Sequence, residues 1–172
     1  LITEFDERVT PLLNQAIVIS IQHQQLQLFS HDELVKTYSV STALKGSGNL
    51  KGSYQTPLGL HYIRAKIGSG HPVNSVFVGR RPTGEIYSPQ LAQTQPDRDW
   101  ILTRILWLCG REIGINRLGQ VDSMQRYIYI HGTPDSEPMG VPRSHGCIRM
   151  CNEDLIELFE QVECGTGVEI VA

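Results

Sequence analysis

Two short segments hold the residue types that could do covalent chemistry together: Tyr129-Ile130-His131-Gly132-Thr133 and, after a Pro- and Gly-rich loop, Ser144-His145-Gly146-Cys147-Ile148-Arg149-Met150. A cysteine thiol, with a reference pKa of about 8.5, becomes an effective nucleophile near neutral pH when an imidazole takes its proton or steadies the thiolate. His131 and His145 can both serve. His145 lies two positions before Cys147, so an extended backbone puts both on one face, whereas His131 ends a β-like run and can return across the loop to face the thiol. Gly146 permits a tight path that would leave its own amide and that of Cys147 free to hold a developing oxyanion. Arg143 and Arg149 flank the thiol, and a guanidinium fork suits a substrate carboxylate. The chemistry implied is acyl transfer, with no cofactor and no metal required.

Other chemistries compete for the same residues. His131, His145, Cys147 and Cys151 supply a legitimate ligand set for tetrahedral zinc, although His145-Gly146-Cys147 is too tight for the usual paired hook. Cys109 and Cys164 read as small core residues, and Cys151 as a core thiol at a helix entrance, a redox partner of Cys147 or a metal ligand, the first being favoured. His23, His31, His61 and His71 stand singly and read as surface or structural residues. The stretch Gly46-Ser47-Gly48-Asn49-Leu50-Lys51-Gly52-Ser53 breaks the order a phosphate loop requires and reads as a turn. Trp100 and Trp107 are expected in the core.

The elements that must position these groups are mostly strands. Alternating or β-branched runs occupy Ala16 to Ile21, Leu26 to Phe29, Leu34 to Thr42, Leu60 to Ile67, Val76 to Val78, Ile101 to Leu108, Tyr127 to Ile130 and Val168 to Val171. Turn clusters separate them, including Gly46-Ser47-Gly48-Asn49, Gly68-Ser69-Gly70-His71-Pro72, Arg81-Pro82-Thr83-Gly84 and Pro134-Asp135-Ser136-Glu137-Pro138, a spacing suited to antiparallel sheets. One helix is expected from about Asn152 to Val162: Asn152 as cap, Glu153 and Asp154 in the first turn, apolar residues at helical spacing, then Cys164-Gly165. The fold class is therefore mainly β.

The 172 residues carry 18 Asp+Glu against 15 Lys+Arg, a net charge of −3 and 40% hydrophobic content, which excludes a disordered polyelectrolyte, a collagen-like repeat and a membrane bundle. No basic stripe points to nucleic acid, and no apolar run reaches the roughly 20 residues that span a bilayer. We divide the chain into a lead-in, residues 1–15, and one domain, residues 16–172, with free thiols rather than disulfides expected.

The two segments that opened this section resemble the signature of L,D-transpeptidase catalytic domains of the YkuD type, and the likeness extends through Tyr38-Ser39-Val40-Ser41-Thr42 to Thr56-Pro57-Leu58-Gly59 and on to Gly165-Thr166-Gly167-Val168. The resemblance implies a β-sandwich with a catalytic groove and a peptidoglycan stem peptide as partner. It implies Cys147 as nucleophile, His131 as general base and acid, and the Gly132 carbonyl orienting that imidazole. Ser144, His145 and Gly146 would shape the thiol loop, and Arg149, with Arg143, would anchor it or read the donor. The implied reaction releases terminal D-Ala from a tetrapeptide through a Cys147 thioester, with carbapenems as expected acylating agents. With water as acceptor the protein is an L,D-carboxypeptidase that trims muropeptides, the reading favoured here; with an amine acceptor it is a crosslinking L,D-transpeptidase. A non-catalytic wall-peptide binder and a zinc-binding domain are the alternatives of another class. No leader or anchor is seen, so a cytoplasmic location is expected, or a periplasmic one if a leader was removed. Oligomeric state is not legible.

Overall fold

Apolar residues at every second position make half-buried strands, and the computed structural model, which describes residues 14–172, pairs ten of them in one sheet. They are β1 (Gln15–Ser20), β2 (Gln25–Ser30), β3 (Glu33–Ser41), β4 (Gly59–Ile67), β5 (Ser75–Val78), β6 (Arg81–Ile86), β7 (Ile101–Gly110), β8 (Tyr129–Gly132), β9 (Ile148–Met150) and β10 (Gly167–Val171). The order is β4-β10-β1-β2-β3-β9-β8-β7-β5-β6, and β4 also pairs with β7. The strands from β4 to β7 in that order thus close on themselves, and the β5–β6 hairpin extends the sheet beyond β7. Closure removes the open edges that the closing strands would otherwise expose. The expected lead-in lies outside the described residues except for its last two positions.

Alternation supplies the core. Ile17 and Ile19 of β1, Leu26 and Leu28 of β2, Tyr38 and Val40 of β3, Leu106 and Leu108 of β7, and Val168 and Ile170 of β10 are buried in one cluster. Into it helix α2 (Asn152–Gln161) packs Leu155, Leu158 and Phe159. At roughly 1.5–3 kcal/mol for each large apolar side chain buried, this cluster is the main source of stability.

Four features depart from the sequence reading. Two pairings are parallel, β1 with β10 and β8 with β9; in the second, the chain between the two strands is long enough to cross over rather than turn back. Arg81-Pro82-Thr83-Gly84, expected as a turn, belongs to β6, an outermost strand where Pro82 need not donate to a neighbour. A second helix, α1 (Pro89–Thr94), was not expected; Ser88 caps it by accepting from the Leu91 amide at 3.1 Å. The helix after β9 starts with Cys151 as its cap, and no side chain caps it. Asn152 turns inward instead and is 3% exposed.

Candidate active site

β8 and β9 run side by side in parallel, with Ile130 opposite Ile148 and His131 opposite Arg149. Side chains alternate across a strand, so the even positions Ile130, Ile148 and Met150 enter the core while the odd positions turn to the other face. Tyr129, His131, Cys147 and Arg149 consequently line one cavity of about 490 Å³, together with Ile101, Tyr127, Ser144, His145 and three residues the sequence reading did not single out, Gly79, Arg80 and Asp99. One pleat therefore brings the thiol and the imidazole to a common wall.

His131 is buried, and its Nδ1 donates to the carbonyl of Gly132 at 2.6 Å. That bond fixes the tautomer: Nδ1 carries the hydrogen, and Nε2 of the neutral ring is left with a lone pair. Burial holds His131 below its usual pKa, opposed by the bond to Gly132 and by Asp99. The Cys147 thiol is half-buried. Its Sγ donates to the Tyr127 carbonyl at 3.3 Å and accepts from the Tyr129 amide at 3.4 Å. Burial pushes its pKa up to about 12, against the lowering effect of the Tyr129 amide, Arg149 and Arg126. The resting pair is thus neutral thiol and neutral imidazole, with the thiol hydrogen directed to Tyr127 rather than to His131.

The thiol loop is tied down by its neighbours. Ser144 Oγ donates to the Cys147 carbonyl and accepts from the Gly146 amide at 3.2 Å. The Gly146 amide is therefore occupied, which corrects the expectation that both amides of this turn face a substrate; among the described residues no hydrogen bond takes up the Cys147 amide. Gly146 has φ of +132°, a conformation that favours glycine, and its carbonyl accepts from the buried Thr56 hydroxyl at 2.9 Å. Thr56-Pro57-Leu58-Gly59 thus frames the thiol turn directly. Arg126, also missed from sequence, holds the same wall by donating to the Gln55 carbonyl at 2.6 Å and the Gly48 carbonyl at 3.2 Å.

The expected arginines part company. Arg149 is buried, its guanidinium 3.1 Å from Asp99 Oδ1 and 3.6 Å from Glu137 Oε2. Asp99 also meets His145 Nδ1 at 3.5 Å, so one carboxylate bridges the thiol loop and β9. Arg143 is exposed and does not line the Cys147 cavity; among the described residues only its backbone is engaged, donating to the Thr42 carbonyl. Cys151 and Cys164 are exposed, correcting the core reading of both, and Cys109 is buried as expected. Cys151 lines a second cavity with Asn74, Thr133, Asp135 and Glu137, away from Cys147 and His145. That separation counts against the zinc set, and no group of three or more His, Cys, Asp or Glu among the described residues is arranged to hold a metal.

The same fold occurs in solved L,D-transpeptidases. L,D-transpeptidase 3 from Mycobacterium tuberculosis, solved with a faropenem-derived adduct, superposes with a TM-score of 0.57 at 18% identity over 92% of this chain and 60% of its own. An L,D-transpeptidase from Mycobacterium smegmatis does so with a TM-score of 0.54 at 19% identity, over 92% of this chain and 59% of its own. The family model described as the L,D-transpeptidase catalytic domain, YkuD, matches residues 14–170, and the chain belongs to that family. Among curated relatives, the putative L,D-transpeptidase YkuD of Bacillus licheniformis is 29% identical over 90% of this chain and 64% of its own length. The probable L,D-transpeptidase YbiS of Escherichia coli is 46% identical over 27% of this chain and 15% of its own. The chain thus spans less than two thirds of each relative named.

Proposed function

We propose that this domain performs cysteine-dependent acyl transfer at the L,D peptide bond of a peptidoglycan stem tetrapeptide. The observation that carries the reading is the imidazole of His131, locked by the Gly132 carbonyl with Nε2 unprotonated, on the same cavity wall as the Cys147 thiol. Because both groups rest neutral, the thiol leaves Tyr127, turns to Nε2 and loses its proton as sulfur attacks the carbonyl of the third stem residue. The Cys147 amide, which no hydrogen bond takes up among the described residues, stabilises the oxyanion in this reading. The imidazolium then protonates the departing D-Ala nitrogen, leaving a thioester on Cys147. The second half-reaction runs the same relay for the acceptor, with His131 taking its proton and the sulfur leaving.

Water as acceptor gives tripeptide, the L,D-carboxypeptidase reaction; an amine of a second stem gives a crosslink. Incubation with a disaccharide tetrapeptide, with and without an amine-bearing second stem, followed by mass spectrometry beside Cys147→Ala, tests the reading. Tripeptide or crosslinked dimer, absent in the variant, is expected. Intact tetrapeptide in every arm would remove the substrate assignment.

A further inference from the structure

Two arginines stand on the wall of the Cys147 cavity, and only one is neutralised. Arg149 faces Asp99 and Glu137, whereas Arg80 meets no carboxylate among the described residues. Arg80 is nonetheless held in place. Its Nη1 donates to the Tyr129 hydroxyl at 3.1 Å, and its guanidinium carbon lies 4.7 Å from the Trp107 ring centre and 4.8 Å from that of Tyr127. Such a cradle orients a cation while leaving its remaining N–H groups for another partner.

The backbone makes the same point. Gly79 and Arg80 are the two central residues of the β5–β6 hairpin, with φ of +55° and +65°, and Val78 pairs with Arg81 across it. A two-residue turn of this kind favours Gly, Asn or Asp at such positions, and a long side chain there is held at a cost in strain. The turn places a guanidinium in the cavity mouth where glycine would have made the easier hairpin. Tyr129 connects it to the chemistry, since the residue whose amide donates to Cys147 Sγ is the residue whose hydroxyl accepts from Arg80. The anion site and the nucleophile lie at opposite ends of one tyrosine.

We propose that Arg80 binds the free terminal carboxylate of the donor peptide, one residue beyond the carbonyl that Cys147 attacks, and so selects donors that end at that residue. This rests on the acyl-transfer reading above. The shared chemistry is a carboxylate on the acyl donor, and a side-chain carboxylate on the third stem residue is the other source; the probe below carries only the terminal one.

N-bromoacetyl-D-alanine and its carboxamide separate the anion site from the substrate assignment. The Cys147 sulfur displaces bromide from either, forming a C–S bond as the C–Br bond breaks and the thiol proton passes to His131 or buffer. Labelling rates at Cys147 are read by peptide mass spectrometry, and the acid-to-amide ratio is compared with that of free cysteine. The wild-type ratio is expected to exceed that of free cysteine, to fall about tenfold in Arg80→Gly, and to recover in part in Arg80→Lys. Arg80→Gly relieves the turn, so the fold is retained. Arg81→Gln, an equal loss of charge outside the cavity, is expected to keep the wild-type ratio. An unchanged ratio in Arg80→Gly, or a wild-type ratio no higher than that of free cysteine, overturns the proposal. A ratio that falls while no tetrapeptide is turned over leaves the carboxylate site standing and removes the peptidoglycan reading. Turnover with an unmoved ratio does the reverse.

Discussion

Opposing influences meet at the Cys147 sulfur: burial disfavours the thiolate, while the Tyr129 amide and two arginines favour it, and burial prevails. Alkylation of Cys147 by iodoacetamide is therefore expected to keep rising with pH beyond 9, where an ordinary thiol near 8.5 is levelling off. A rate already at its plateau by pH 7 would mean a preformed thiolate–imidazolium pair and would sink the neutral-pair mechanism. His131, held below its usual value, places the acid limb of kcat/KM below about 6.5, since activity needs the unprotonated ring and that form persists to lower pH. A pH–rate profile whose lower inflection sits above 7 contradicts this. Cys147→Ala is expected to lower turnover about ten-thousandfold or more with the circular dichroism spectrum retained, because the change is small and the residue only half-buried. These groups were legible in sequence because a thiol and imidazole beside glycines are chemically distinctive. Asp99 and Arg80 were not, since each is a common surface residue far along the chain that only the closed sheet brings to the cavity, and Arg126, close to His131 in sequence, shows its role only through its bonds to the Gln55 and Gly48 carbonyls.

Among the elements, the junction of β7, β8 and α2 sets how the imidazole sits. Asn152 Oδ1 accepts from the Thr103 hydroxyl at 2.6 Å, and its Nδ2 donates to the Thr133 carbonyl at 2.9 Å and to Asn74 Oδ1 at 3.1 Å. Gly132 fits beneath this hub because it has no side chain: a Cβ there would stand 2.2 Å from Asn152 Oδ1 and 2.6 Å from the Leu102 carbonyl. Gly132→Ala is expected to cost about 1–3 kcal/mol by overpacking and to displace the carbonyl that orients His131. The check is thermal unfolding beside kcat/KM; an unchanged kcat/KM in the folded variant would show that the Gly132 carbonyl does not orient the base. The motif alone offered Asn152 as a helix cap, the ordinary use of Asn in that place. Its burial under Thr103 and Thr133 depends on β7 lying alongside, which no local pattern announces. The strands were legible for the opposite reason, since alternation is itself the cause of their half-burial. β6 and β9 escaped because a Pro-containing outer strand and a three-residue strand carry too little alternation to read.

In the molecule as a whole, a histidine far from the chemistry ties β4 to the loop that follows β7. His61, on β4, is 1% exposed, with Nδ1 2.9 Å from the Gly59 carbonyl and Nε2 2.8 Å from Ser123 Oγ, and burial lowers its pKa to about 4. A depressed imidazole contributes stability that is full above the unfolded value of about 6.5 and is lost as pH falls toward 4. Wild-type unfolding free energy is expected to drop by about 2–3 kcal/mol between those limits through His61 alone, and the drop to be smaller by that amount in His61→Gln, where the buried His131 still contributes its own share. Equal acid sensitivity in the two proteins would place the titrating group elsewhere. Closure of the sheet was beyond the reach of sequence, because the pairing of β4 with β7 joins strands separated by a hairpin and a helix. The parallel alignment of β8 with β9 has a further consequence. His131 and Cys147 owe their juxtaposition to neighbouring strands and not to the segment that links them, so exposed positions of that crossover such as Ser136 and Pro138, away from its ties to β3 and Arg149, can change composition while the reactive pair stays in register. Variation at those positions leaves the catalyst itself untouched.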